Sequence, residues 1–204
     1  MFNQAFHATL QILLFRQGPE DFPYATDGRL DKACTALGIV ATALLFGIVQ
    51  PLPLAIVDGA VATLVVTLYT RLVLRLRGLE ARQQQTRNAL LATGSLLLLA
   101  MWLPMSMVMP VMTEFLTSVA AAQQAAGPDA PPPVISADQL PQVPVLPGLL
   151  LDLLGLWFAA SATHVLRRAT GIARFAAAMM ALLLISNVMV SMVIAGNLLS
   201  LILG

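Results

Sequence analysis

The chain has 204 residues, 58% of them apolar and only 10% charged, and its mean hydropathy is +0.84. A water-soluble domain of that length cannot hide so much apolar surface, so the composition points to an integral membrane protein. The net charge of +1 conceals a segregation, because all eleven Lys and Arg residues fall into three islands: Arg16, Arg29 and Lys32; Arg71, Arg75, Arg77, Arg82 and Arg87; Arg167, Arg168 and Arg174.

Residues 1 to 15 lack a basic start, and Asn3, Gln4, His7 and Gln11 interrupt their apolar run, which argues against a cleavable signal peptide. Asn3, His7 and Gln11 repeat every four residues while Phe2, Phe6, Leu10 and Leu13 take another face, the pattern of an amphipathic helix lying in the membrane interface. Gly18 and Pro19 end it, and residues 16 to 32 form a connector, so 1–32 is a cytoplasmic N-terminal segment. Cys34 is the single cysteine, can form no intramolecular disulfide, and is expected to pack as a small apolar side chain.

Residues 33–204 are expected to hold five transmembrane helices, at about 33–50, 54–74, 89–112, 149–166 and 175–203. The uncharged turn Gln50-Pro51-Leu52-Pro53 closes the first two as a hairpin on the outer side. Pro104 and Pro110 predict a kink or break in the third. Residues 113–147 form an external loop holding Glu114, Asp129 and Asp138, no Lys or Arg, and seven of the thirteen prolines. Its part from Gly127 to Pro147 reads as an extended linker, whereas 113–126 can continue as helix. Because cationic loops resist translocation, this threading puts every basic island and the N-terminus in the cytoplasm and the C-terminus outside. Ten of the eleven basic residues are Arg, and the apolar positions lean on Ala and Leu, which suggests a bacterial origin and hence the inner (cytoplasmic) membrane. The fold class is therefore all-α: a polytopic membrane helix bundle with an N-terminal interfacial helix.

A weak duplication relates spans two and three to spans four and five. Pro53 and Pro147 each precede an acid, Asp58 and Asp152, by five residues, and Gly78-Leu79-Glu80-Ala81-Arg82 parallels Gly171-Ile172-Ala173-Arg174. Small residues step at four in both halves, Gly59, Thr63 and Thr67 against Gly155, Ala159 and Thr163, as close helix contacts require. Asn187, Ser191 and Ala195 form a similar stripe in span five, with Asn187 placed to donate between helices.

Arg71-Leu72 through Gly78, Gln84-Gln85-Thr86, Ala89-Leu90-Leu91 and Pro104, with Leu156-Trp157, His164-Val165-Leu166 and Thr170-Gly171-Ile172-Ala173, resemble the bacterial Yip1-like membrane proteins over about half of the chain. The resemblance implies five spans and a cytoplasmic N-terminus. The acidic, glycine-containing sequence near the first span of eukaryotic members is absent, which leaves a Rab-type partner without support.

Asp58 and Asp152 are the carboxylates inside the spans, and ionisable groups at membrane depth are functional candidates by default, here for an ion or proton or for helix packing. Met101, Met105, Met107, Met109 and Met112 could offer soft thioethers to Cu(I), but four of them follow the packing stripe of a helix, and no metal is assigned. Catalytic signatures are lacking: His7 and His164 stand apart, and no nucleophile elbow, phosphate loop or dinucleotide fingerprint occurs, so neither enzyme activity nor a cofactor is expected. Arg71, Arg75, Arg77, Arg82 and Arg87 are candidate contacts for anionic lipid. Membrane-proximal arginines without interleaved aromatics do not indicate nucleic acid. The expected role is a non-enzymatic scaffold that meets lipid and other membrane proteins; the alternative is a small permease or channel subunit using Asp58 and Asp152.

Overall fold

The computed structural model describes residues 1–24, 28–126, 135 and 140–203, and the described residues hold six α-helices and no strand. These are α1 (Phe2–Leu13), α2 (Arg29–Phe46), α3 (Leu52–Leu76), α4 (Gln83–Ala126), α5 (Val145–Thr170) and α6 (Arg174–Leu203). Most of the expected linker 127–147 lies outside the described residues, and 140–144 carry no regular structure.

Among the described residues four helices, α3 to α6, are long and apolar enough to cross a bilayer, where the sequence predicts five. The shortfall is α2. Its 18 residues include Arg29, Asp31 and Lys32, and Gly47 ends the helix before the last residues of the expected span. The remaining apolar helix, 33–46, covers about 21 Å at 1.5 Å per residue, against about 30 Å of hydrocarbon.

Proline positions decide where the other helices begin and how far they run. Pro51 caps α3 and Pro53 sits in its first turn, where the missing N–H would have had no helical partner. Pro104 and Pro110, by contrast, lie inside α4, which continues unbroken for 44 residues. No break occurs at either, and the first part of the expected loop, 113–126, is helix. At the opposite end, two glycines stop the chain by the same means. Gly78 (φ 66°) ends α3 with bonds from its own N–H to Arg75 and from Leu79 N–H to Leu74, while Gly171 (φ 69°) ends α5 with a bond to Arg167. Both lie in the left-handed region, which costs glycine nothing and leaves two helix ends hydrogen-bonded.

Packing joins the helices into a ring: α2 lies against α3 and α4, α4 against α5, α5 against α6, and α6 against α3. Small residues let the backbones meet, since lipid offers no hydrophobic drive for helices to associate. At Gly59 an added Cβ would stand 2.5 Å from the Ile39 carbonyl oxygen, so α2 and α3 touch backbone to backbone. Tyr69 Oη donates to the Met180 carbonyl at 2.8 Å and ties α3 to α6. Cys34 is buried at the base of α2, as a small apolar residue would be. Gly155 behaves unlike its counterpart Gly59: nothing lies within 4 Å of an added Cβ, so the Gly155, Ala159 and Thr163 stripe is not a close contact at that position.

Candidate functional site

One end of the ring gathers the three basic islands, and polar contacts hold them there. Asp31, in the first turn of α2, accepts bonds from Asn88 Nδ2 (2.6 Å) and Gln84 Nε2 (2.9 Å) at the start of α4, and pairs with Arg87 Nη2 at 3.0 Å. Asn88 is fully buried, and its carboxamide oxygen in turn accepts from Arg87. Partial burial pushes the Asp31 carboxyl upward in pKa, but the bonds from Asn88 and Gln84 and the charge of Arg87 outweigh it and hold the group below its ordinary value of 3.8. A few residues earlier, Arg82 Nη1 donates to the Ala169 carbonyl at 3.4 Å and so brings the second island to the third.

The N-terminal segment is lashed to the same end. α1 stops in a six-to-one turn, with Arg16 N–H bonded to Gln11 and Phe15 N–H to Ile12, which forces Phe15 to φ 58°. That conformation costs a residue with a Cβ roughly 1–2 kcal/mol. The Phe15 ring rests edge-on against His164, with centroids 5.4 Å apart. Trp157, His164 and Arg168 fall on one face of α5 and each takes hold of this segment. Trp157 Nε1 donates to the Leu13 carbonyl at 3.0 Å, His164 Nε2 lies 2.8 Å from the Gln17 carbonyl, and Arg168 pairs with Glu20 at 2.5 Å. The histidine contact requires its proton on Nε2. Gln85 completes the attachment by donating to the Glu20 and Phe22 carbonyls at 3.2 and 2.8 Å.

Docking leaves α1 with three faces. Ala5, Ala8, Thr9 and Ile12 are buried against the bundle, Asn3 and His7 are exposed, and Phe2, Phe6, Leu10 and Leu14 form an exposed apolar stripe. Leu13, expected on the lipid side, is buried instead.

The arginines differ in their freedom. Arg71, Arg75 and Arg77 are exposed, and the Arg75–Glu80 pair at 3.7 Å is too solvated to restrain either partner much. Arg82 is exposed but spends one donor on α5. Arg87 is not a surface contact, because its side chain is only 17% exposed and is committed to Asp31 and Asn88.

The intramembrane candidates do not converge on a shared site. Asp58 is buried and accepts from Gln50 Nε2 at 2.6 Å, which closes the α2–α3 turn, whereas Asp152 is exposed on α5. Asn187 is exposed and donates to Leu183 of its own helix at 2.8 Å, so it makes no bond between helices through that amide. The methionines of α4 are half-buried apart from exposed Met107, and no cluster of three or more His, Cys, Asp or Glu suited to a metal occurs among the described residues.

Three contributors escaped the sequence reading. Asp31 and Asn88 looked like ordinary polar residues at helix starts, and only the fold brings them together. Ser161 looked like one more small residue in an apolar helix, yet its hydroxyl is buried without a partner among the described residues. Comparison of the chain with protein-family models, with curated proteins and with solved structures returns no match.

Proposed function

We propose that this protein is a non-enzymatic scaffold of the bacterial inner membrane, whose basic cytoplasmic end holds anionic lipid and neighbouring membrane proteins. The observation that carries the reading is the meeting of the three islands at one end of the ring. Eleven basic residues stand there against Glu20, Asp21, Asp31 and Glu80 among the described residues, a net of +7. Arg71, Arg75 and Arg77 are exposed beside that end, and each charge near an anionic surface is worth about 1 kcal/mol.

The same contacts support α2 as a fifth crossing helix despite its short apolar run. Its first turn binds the start of α4, while its last residues lead through Gln50 and Pro51 into the opposite end of α3. A helix that shares both ends with a spanning neighbour traverses the same thickness, and the charged first turn then sits in the headgroups. This threading leaves the N-terminus and all basic loops in the cytoplasm and the C-terminus outside. Likeness of residues, together with two hairpins that each turn at a left-handed glycine, favours the Yip1-like type. A permease built on Asp58 and Asp152 draws less support, since one carboxylate is occupied by Gln50 and the other is exposed.

Nanodiscs test the lipid role directly. Phosphatidylglycerol should raise the unfolding temperature of the wild type over that in neutral lipid, and Arg71→Gln, Arg75→Gln and Arg77→Gln together should remove most of the gain. An equal response in both proteins would refute it. Reporters placed after Gly204 and near Gln84 should read external and cytoplasmic respectively.

A further inference from the structure

Five helices packed at interaxial distances of 8–10 Å around a ring leave an axial gap of about 3 Å radius unless large side chains fill it. Here the axis receives Gly38, Ala62, Gly94, Ser95, Ser161 and Ala162, all of them small. They help enclose a cavity of about 110 Å³ that takes wall from α2, α3, α4, α5 and α6. Its surface is almost wholly apolar, with Phe46, Phe158, Leu98 and Met192 supplying much of the bulk.

Hydroxyls in these helices usually turn back on their own backbone. Thr93 and Ser95, both on the cavity wall, donate to the Ala89 and Leu91 carbonyls at 2.6 Å each, and Thr67, Thr70, Thr163 and Thr170 make the same four-residue bond. Ser161 departs from this rule. It is 2% exposed, lines the cavity, and its Oγ has no hydrogen-bond partner among the described residues. An unpaired buried hydroxyl is costly, and a bound group that satisfies it recovers that cost.

We propose that the axis of the ring binds one compact, mostly apolar molecule carrying a single hydroxyl or carbonyl group, which pairs with Ser161. Size and polarity both select this class. A dry cavity of about 150 Å³ takes the six heavy atoms of a benzene ring, so one of about 110 Å³ admits about four. A more polar solute would leave its other groups unpaired against Leu, Phe and Met. Short alcohols dissolved in the bilayer meet both demands.

The experiment uses the full chain in detergent micelles and ¹⁹F NMR, with 2-fluoroethanol and the isosteric 1-fluoropropane as probes. Both should give a saturable bound resonance distinct from that of the micelle. Ser161→Ala should weaken 2-fluoroethanol by about 2- to 10-fold, the worth of one hydrogen bond, and leave 1-fluoropropane unchanged. Comparing each probe with itself across the two proteins cancels its partition into detergent. In the wild type, magnetisation transfer from bound probe should reach the methyl groups of Met189 and Met192, which line the cavity. Failure of either probe to saturate, an equal loss of both in Ser161→Ala, or transfer that avoids these methionines would overturn the proposal.

Discussion

Replacing Gly59 with alanine places one methyl group against the carbonyl of Ile39. The ideal Cβ would lie 2.5 Å from that oxygen and 3.1 Å from the Ile39 carbonyl carbon and Cα, all of them backbone atoms with no rotamer to yield. Restoring normal contact requires α2 to withdraw by about 1 Å along the tightest seam of the ring. Overpacking of this kind costs about 1–3 kcal/mol. Alanine also gains up to about 1 kcal/mol over glycine in a helix, which masks part of the loss. Gly155→Ala supplies the correction, because nothing lies within 4 Å of its new methyl and it reports the helix gain alone. The difference between the two variants isolates the clash. Unfolding by SDS in mixed micelles, followed by far-ultraviolet circular dichroism, should separate them by about 1–3 kcal/mol, with Gly59→Ala the less stable. Equal midpoints for the two variants would mean that α2 and α3 do not meet as closely as the structure shows.

Trp157→Phe deletes the indole donor to Leu13, so amide exchange throughout α1 should quicken by about 5-fold, as expected for one lost hydrogen bond of about 1 kcal/mol, with α3 and α6 unaffected. Asp31 has a folded pKa below its ordinary 3.8, so its contribution to stability is complete above that value and is lost as the pH falls through the lower, folded one. A wild-type stability that declines in this window, beside an Asp31→Asn protein that is less stable at neutral pH and flatter on acidification, would be the expected pair of unfolding curves. Asn187→Leu should leave the unfolding midpoint within about 0.5 kcal/mol of the wild type, because the asparagine's amide bonds within its own exposed helix. A larger loss in that variant would reveal an interhelical bond after all.

The sequence made the helices legible because an apolar run long enough for hydrocarbon has few other readings. Their ends were harder to place. Helical hydrogen bonding continues past the apolar boundary at Arg75, Arg167 and Arg174, where long side chains reach water while the backbone stays helical. The end of the expected first span was misplaced in a related way, since hydropathy counted Gly47 to Gln50 although the chain has already begun to turn there. Charge segregation located the basic end, but a charge pattern does not say which guanidinium is free. Arg87 and Arg77 look alike in sequence, and only the approach of Asp31 from α2 separates an occupied side chain from an exposed one. Asp58 and Asp152 likewise share a spacing from proline and differ in burial, because the first faces the hairpin turn and the second faces outward. Ser161 left no mark at all. Its distinction is that its hydroxyl lacks the bond its neighbours make, a property of rotamer and packing rather than residue type.

α4 is much longer than a bilayer is thick. Its 44 residues extend about 66 Å, roughly twice the hydrocarbon thickness, and the stretch from Thr113 to Ala126 makes up about 21 Å of that rod. In the threading proposed above, the Gln83 end lies among the arginines and this far segment lies on the opposite face, with Thr117, Ser118 and Gln124 exposed. In that threading, whatever arrives from the outer compartment meets a helical segment about two nanometres long before it reaches the membrane.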